Sequence, residues 1–440
     1  MALAAALLSG SGCATYSDRL VAARGAAALG EYQSGVAELN RVMGVSSSGE
    51  MPERWKGDRA LAALERASLL QASEAFGDSA KNLTAADREL EWLEIAGDAV
   101  GELGRYVYSD SSAAYKIPAS ERLALSAVNM LNFLADDDLA GAAVEARRFT
   151  VAREYLEGLG LSTPTEVFGS YLAGVVFEKL GDGNRALRYY EEALGEGSLT
   201  TLTGAVSRLA AKNEYRGPRI RALIAGAPPT NSEVPSEIIV VTSLGRVPYK
   251  IPERIPVGAA VGIAGTYISG NPDVLAYSAM KVVVYPELTP SESAARSHSV
   301  SVDGNPVPVE LLANLGGAIT SEYEVLKPQI IGAAISRMIV RAAATEGVRA
   351  AGNQAGGSGG DIVGLLAALV TEGALVALDK PDTRSWSFLA DRVFVSRIAV
   401  EAGEHDVEVE IQGTGVTAKR RFAVSVPKGE LVVLVVTEPR

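Results

Sequence analysis

The pattern of apolar residues changes once along the chain, and that change limits the fold more than any single motif. From Tyr16 to about Tyr215, Ala, Leu, Glu and Arg dominate, apolar residues recur at three and four, and Gly-Asp or Pro marks the breaks. Such spacing makes amphipathic helices and leaves almost no strand signal. It predicts helices over 17–29, 33–43, 53–76, 84–108, 118–134, 138–158, 164–180, 184–195 and 199–213. Thr84 is placed to cap the fourth of these with Asp87 three residues on, and Pro118 and Pro164 stand where a first-turn proline is tolerated.

Within this half, Gly174 to Leu194 (GVVFEKLGDGNRALRYYEEAL) reads as one tetratricopeptide repeat, a helix–turn–helix unit with a period of about 34 residues. Gly174, Ala186 and Ala193 are the small residues at which two antiparallel helices approach closely. Phe177, Leu180 and Tyr190 supply bulk between them, and Gly181 ends the first helix in a left-handed conformation. A weaker copy of this skeleton recurs at Leu29-Gly30-Glu31-Tyr32, Phe76-Gly77-Asp78 and Leu134-Ala135-Asp136. One repeat cannot bury its apolar face alone, so neighbours are expected. Two arrangements meet that need, a solenoid with a concave groove and an irregular helical bundle.

Residues 217–235 are rich in Gly, Pro, Ala and Ser and read as a linker. Beyond it, 237–243 (EIIVVTS) and 280–285 (MKVVVY) are short β-branched runs, and Asp303-Gly304 signals a tight turn. Val309 to Tyr323 and Pro328 to Thr345 return to helical spacing; in the second, Ile331, Ile335, Met338, Ile339 and Ala342 form an apolar stripe, with Arg337 and Arg341 on another face. Residues 347–360 (GVRAAGNQAGGSGG) read as a flexible loop, because neither a GxxxxGK spacing nor a preceding strand accompanies them. The apolar run 362–378 is shorter than a membrane span and reads as a buried helix. Four β runs follow, at 393–400, 406–411, 416–426 and 430–437, with separators short enough to reverse the chain. The unalternating LVVLVV of the last is expected to be buried on both faces, under the earlier strands or the helices at 309–345 and 361–378. The expected fold class is α+β: an all-α tetratricopeptide-like hairpin array over 14–216, then a mixed domain over 236–440 with an antiparallel β meander or sandwich.

A net charge of −12 over 440 residues argues against nucleic acid as a partner, since phosphate binding needs clustered Lys and Arg. His298 and His405 are the only histidines, and neither has a second ligand at a zinc spacing; His405 is expected at an exposed turn. Gly-Ser-Gly at 357–359 matches a nucleophile elbow only loosely, inside the glycine-rich loop. No catalytic residue, metal, cofactor or small-molecule substrate is therefore assigned.

The only cysteine, Cys13, follows the apolar run Ala2 to Leu8 and the small residues Ser9 to Gly12. A lipoprotein signal ending at a lipidated cysteine has this form, although no Lys or Arg precedes it and Gly10 stands where Leu is usual. The segments Cys13-Ala14-Thr15-Tyr16-Ser17, Ala143 to Arg148 and Asp382-Thr383-Arg384-Ser385-Trp386, with Arg397 and Gly403 beyond, resemble a family of Gram-negative outer-membrane lipoproteins. These have a tetratricopeptide-like helical N-terminal half and a β-containing C-terminal half. The resemblance implies anchoring through Cys13, outer-membrane retention from Ala14 at the next position, and no chemistry. It marks Asp382, Arg384, Trp386 and Arg397 as a C-terminal motif with two readings: a ligand site, or a loop in which Trp386 packs on the strands while Asp382 and Arg384 pair.

The expected function is a non-catalytic periplasmic lipoprotein acting as a protein–protein interaction scaffold through its helical half, with an envelope protein as partner. The alternatives are a regulatory accessory of a cell-envelope machine for polysaccharide export or peptidoglycan synthesis, and a peptidoglycan-cleaving enzyme.

Overall fold

The computed structural model describes residues 14–92, 115–195, 199–226, 235–268, 282–354 and 381–440. Cys13, the run 362–378 and residues 355–360 of the glycine-rich stretch lie outside them. The fold is α+β.

Helices α1 (Tyr16–Arg19), α2 (Val21–Ala28), α3 (Tyr32–Met43), α4 (Arg59–Ala72) and α5 (Phe76–Asp87) are followed by a short parallel pair, β1 (Glu91–Trp92) with β2 (Lys116–Ile117). Then come α6 (Ala119–Ala135), α7 (Leu139–Gly158), α8 (Thr165–Lys179), α9 (Gly183–Ala193), α10 (Thr203–Lys212) and α11 (Pro218–Ala225). The pairs α2/α3, α4/α5, α6/α7 and α8/α9 are helical hairpins with one turn chemistry. Each first helix ends on a left-handed residue, at φ 78° in Gly30, 61° in Glu74, 53° in Asp137 and 75° in Gly181. In each, the next residue's N–H reaches back five positions, from Glu31 to Ala26 O, Ala75 to Leu70 O, Asp138 to Phe133 O and Asp182 to Phe177 O, at 2.8–2.9 Å. This is the Schellman closure, which satisfies the last carbonyls of a helix.

Three expectations for this half need correction. The turn of the second hairpin is Ser73-Glu74-Ala75, and Phe76-Gly77-Asp78 begins α5 instead; a non-glycine left-handed residue hid the turn. Thr84 lies inside α5, which ends at Asp87, so it caps nothing; residues 88–92 of the helix predicted to 108 are a turn and the strand β1, and 93–108 lie outside the described residues. The first part of the predicted linker is α11, entered through Pro218 in its first turn and held where Glu191 accepts from Arg219 N and Ile220 N at 3.0 and 2.9 Å.

The C-terminal half contains β3 (Ser236–Leu244), β4 (Lys250–Pro256), α12 (Val257–Ala264), β5 (Val282–Leu288), β6 (Ala295–Val302), β7 (Asn305–Val307) and β8 (Glu310–Asn314). It continues with α13 (Leu315–Gln354), β9 (Arg392–Val400), β10 (Gly403–Gly413), β11 (Val416–Val426) and β12 (Leu431–Glu438). Two four-stranded sheets form a sandwich, an inner one in the order β12-β3-β9-β8 and an outer one in the order β11-β10-β6-β7. The last four strands do not lie side by side as one meander: β10 and β11 form a hairpin in the outer sheet, while β9 and β12 flank β3 in the inner one, β12 running parallel to it. Residues 310–314, predicted helical, are the edge strand β8. Helix α13 then continues without interruption through Pro328 to Gln354, so 347–354 is helix rather than loop.

The inner sheet is covered on both faces. Ile238, Val240 and Val436 pack with Val300, Val407, Val409 and Ile411 of the outer sheet. Ile239, Val241, Val433 and Val435 belong to the core of the helical half, and α4 and α6 lie on β12. The LVVLVV strand is thus buried on both faces as predicted, one face by earlier strands of the outer sheet, but the other by the N-terminal helices rather than by the helix at 309–345. A side arm of β4, β5 and α12 packs on α13 through the expected stripe of Ile331, Ile335, Met338 and Ile339.

Candidate functional site

Helix α4 is buried at every position from Ala60 to Ala72, including Glu65, Arg66, Ser68 and Gln71. A helix buried all round must satisfy its polar side chains inside the protein: Arg66 turns to Asn40, Asn82 and the carbonyls of Ser47 and Glu50, whereas Glu65, Ser68 and Gln71 meet the C-terminal half. Glu65 accepts from Ser387 N and Ser387 Oγ at 2.8 Å each and from Phe388 N at 2.7 Å. Beside it, Trp386 is fully buried and its indole N–H donates to Ser68 Oγ at 2.9 Å. Gln71 accepts from Thr437 Oγ1 at 3.0 Å and donates to Asn132 Oδ1 at 2.8 Å, and Asn132 donates to Ser79 Oγ at 2.9 Å. A chain of polar contacts therefore joins α4, α5 and α6 to the strand end at Thr437.

Glu121 on α6 accepts from Tyr115 OH at 2.6 Å. Burial pushes the carboxyls of Glu65 and Glu121 each up to about 7, against the opposing pull of these hydrogen bonds. Neither carboxylate has an ion-pair partner among the described residues. The loop carrying Trp386 is braced by Asp382 and Arg384, which form a two-pronged pair at 2.8 and 2.7 Å, and by Thr383, whose hydroxyl accepts from Ser17 N at 3.1 Å. The Arg384 guanidinium holds the Asp382 carboxyl below the usual carboxylate range, although burial acts the other way.

Arg397 on β9 lies in a second buried cluster. Its guanidinium pairs with Glu178 at 2.7 Å and with Glu237, and donates to Tyr190 OH at 3.3 Å; Tyr190 donates to Glu178 at 2.6 Å, and Arg208 pairs with Glu237 at 2.6 Å. The repeat residue Tyr190 thereby does two things: its ring lies on Gly174, where a Cβ would come within 2.3 Å, and its hydroxyl ties α9 to the sheet. Phe177 stacks on Tyr189 with centroids 5.4 Å apart, and Ala186 and Ala193 are buried as expected. Leu180 is the exception: at 46% exposure it fills no space between helices, because the C-cap position of α8 points it to solvent.

The four residues of the C-terminal motif therefore separate. Asp382, Arg384 and Trp386 share one loop against α4 and α1, whereas Arg397 belongs with α8 and α9. Sequence reasoning missed Glu65, Glu121, Glu178 and Glu237, the groups that receive this motif. The available signal was a charged residue in the middle of an Ala- and Leu-rich run, Leu64-Glu65-Arg66. His405 is in β10 rather than at a free turn, with Nδ1 and Nε2 each 2.8 Å from Asp303 Oδ2 and Glu401 O. Among the described residues no three His, Cys, Asp or Glu side chains converge as a metal site.

Chemically, the seam is a joint. Its carboxylates are enclosed and accept from N–H and O–H donors, and its aromatic residue is buried. Its consequence is steric: the first helices α4, α6 and α8 turn their inner face to the sheet and to the Trp386 loop, and the groove of the helical array is filled by its own chain. No family model, curated protein or solved structure matches this chain.

Proposed function

We propose that this protein is a non-catalytic lipoprotein, tethered through Cys13 to the periplasmic face of the outer membrane, that acts as a scaffold for an envelope protein partner. The observation that carries this reading is the row of four hairpins with identical Schellman turns, a repeat architecture whose exposed surface is long and regular. Because the inner face is occupied in cis, the partner surface is the outer one, made by the second helices α3, α5, α7 and α9. Among the described residues no helix is long and apolar enough to cross a membrane; the tether proposed is the acyl chains of Cys13, of which more than one is needed for lasting attachment.

Palmitate labelling of growing cells tests the tether: the wild type is labelled and Cys13→Ala is not, and an unlabelled wild type or a labelled variant defeats it. In-cell crosslinking from the outer helices, followed by identification of the captured protein, tests the scaffold. Capture from α3, α5, α7 or α9 supports it, and a fully monomeric, uncaptured protein opposes it.

A further inference from the structure

Helix α12 reads VGAAVGIA and has no polar side. One side, with Ala260 and Ala264, belongs to the small core that α12, β4 and β5 share with the Ile331 to Ile339 stripe of α13. The other side turns Gly258, Ala259, Gly262 and Ile263 to solvent, the last at 44% exposure, and Val282, opposite Pro256 at the end of the β4/β5 pair, is 46% exposed. A surface helix ordinarily turns charged residues outward. Here the 14 residues from Ile255 to Ile268 include no charged one; the nearest, Glu253 and Arg254, are exposed on β4.

The root of this arm indicates what meets its tip. Lys250, the first residue of β4, donates its N–H to Ser385 Oγ at 3.2 Å, two residues from Thr383, which receives Ser17 N. Arg24 joins the same two segments: its guanidinium donates to Ser17 O at 2.6 Å and lies 4.1 Å from the centre of the Tyr249 ring. The arm and the N-terminal segment therefore leave the body side by side. Cys13 is four residues before Ser17, at most about 14 Å of chain, whereas β4 alone carries the chain about 20 Å from its root. Among the described residues the core of the arm contains no side chain of the helical half or of the sandwich. An uncharged tip on an arm that is longer than the leash beside it meets the surface in which the leash is fixed. We propose that the α12 tip, through Ile263 and Val282, enters the headgroup and acyl boundary of the phospholipid leaflet that holds Cys13. This inference rests on the tether proposed above for its choice of occupant.

The test uses the full chain with Cys13→Ser, which carries neither acyl chain nor native thiol, and Ile263→Cys labelled with the environment-sensitive dye NBD. Vesicles of phosphatidylethanolamine and phosphatidylglycerol are added to about 1 mM lipid, where even a single myristoyl chain is mostly bound. The NBD emission at 263 rises and shifts to the blue, and lipid spin-labelled on its acyl chain quenches it. The same dye at Lys428→Cys, beside the start of β3 at the opposite end of that strand, does not respond. With the dye at Val257→Cys instead, Val282→Asp weakens vesicle binding at least about tenfold while the melting curve is unchanged. An unchanged signal at 263, an equal response at 428, or a response that follows protein rather than lipid concentration, as for a second copy, overturns the proposal. Palmitate labelling of Cys13 reports the tether separately: a labelled Cys13 with a silent probe at 263 defeats the arm alone, and a lipid-responsive 263 with an unlabelled Cys13 defeats the tether alone.

Discussion

The indole N–H of Trp386 donates to the hydroxyl of Ser68 at 2.9 Å, across 318 residues of sequence. That bond lies in a core shared by the N-terminal helices and the inner sheet, so the two halves are one folding unit despite their different patterning.

Unfolding in urea should therefore be a single transition, seen alike by helix and strand signals. Trp386→Ala should lower stability by about 3–5 kcal/mol, the cost of emptying a buried aromatic site. Trp386→Phe should cost less, about 1–3 kcal/mol, mainly by leaving the Ser68 hydroxyl without its donor.

Stability should depend on pH through Glu65 and Glu121. Their folded carboxyls titrate near 7 against an ordinary value of 4.5, so the folded state holds more protons than the unfolded state between these values. Stability is then greatest below about 4.5 as far as these groups are concerned, falls as pH rises through 7, and is level above. Each contributes on the order of 3 kcal/mol at most. Melting at pH 5 and at pH 8 checks the sign, and Glu121→Gln, which keeps an acceptor for Tyr115, should reduce the slope.

Arg397→Leu should be severely destabilising, about 3–5 kcal/mol, because it leaves Glu178 and Glu237 buried with less positive charge. Replacing Glu237 by Leu as well should recover part of that loss. A double-mutant cycle in chemical denaturation measures the coupling, and additive costs would show that the cluster does not act as a unit.

Two residues of the repeat signature should behave oppositely. Gly174→Ala brings a methyl group against the Tyr190 ring and should cost about 1–3 kcal/mol, whereas Leu180→Ala, at an exposed C-cap, should change stability by less than about 0.5 kcal/mol. Thermal melts of the two variants distinguish packing of this kind from a generic bundle.

Much of the local structure was legible in the sequence. The repeat at 174–194, the turn at Gly30 and the burial of the last strand follow from periods and residue types that act within a few positions. Glu74 hid one of the four turns from inspection, since a left-handed conformation held by the surrounding chain leaves no glycine to find. Residues 310–314, read as helix, are strand, and 347–354, read as loop, are helix, because short apolar or Ala-rich stretches take the state of the element they join.

Sequence by itself determined the class of the fold, the helical hairpins and the strand segments, because side-chain periodicity sets which face of each element must leave water. Only the tertiary structure decided which faces meet. That the inner sheet would close the groove of the helices and that Glu65 would receive the Trp386 loop depend on contacts hundreds of residues apart. Burial of an apolar face is non-directional, so a sequence states that the face is covered without stating by what; the buried carboxylates and the arginine, which need donors and acceptors at fixed positions, select the one docking that satisfies them all.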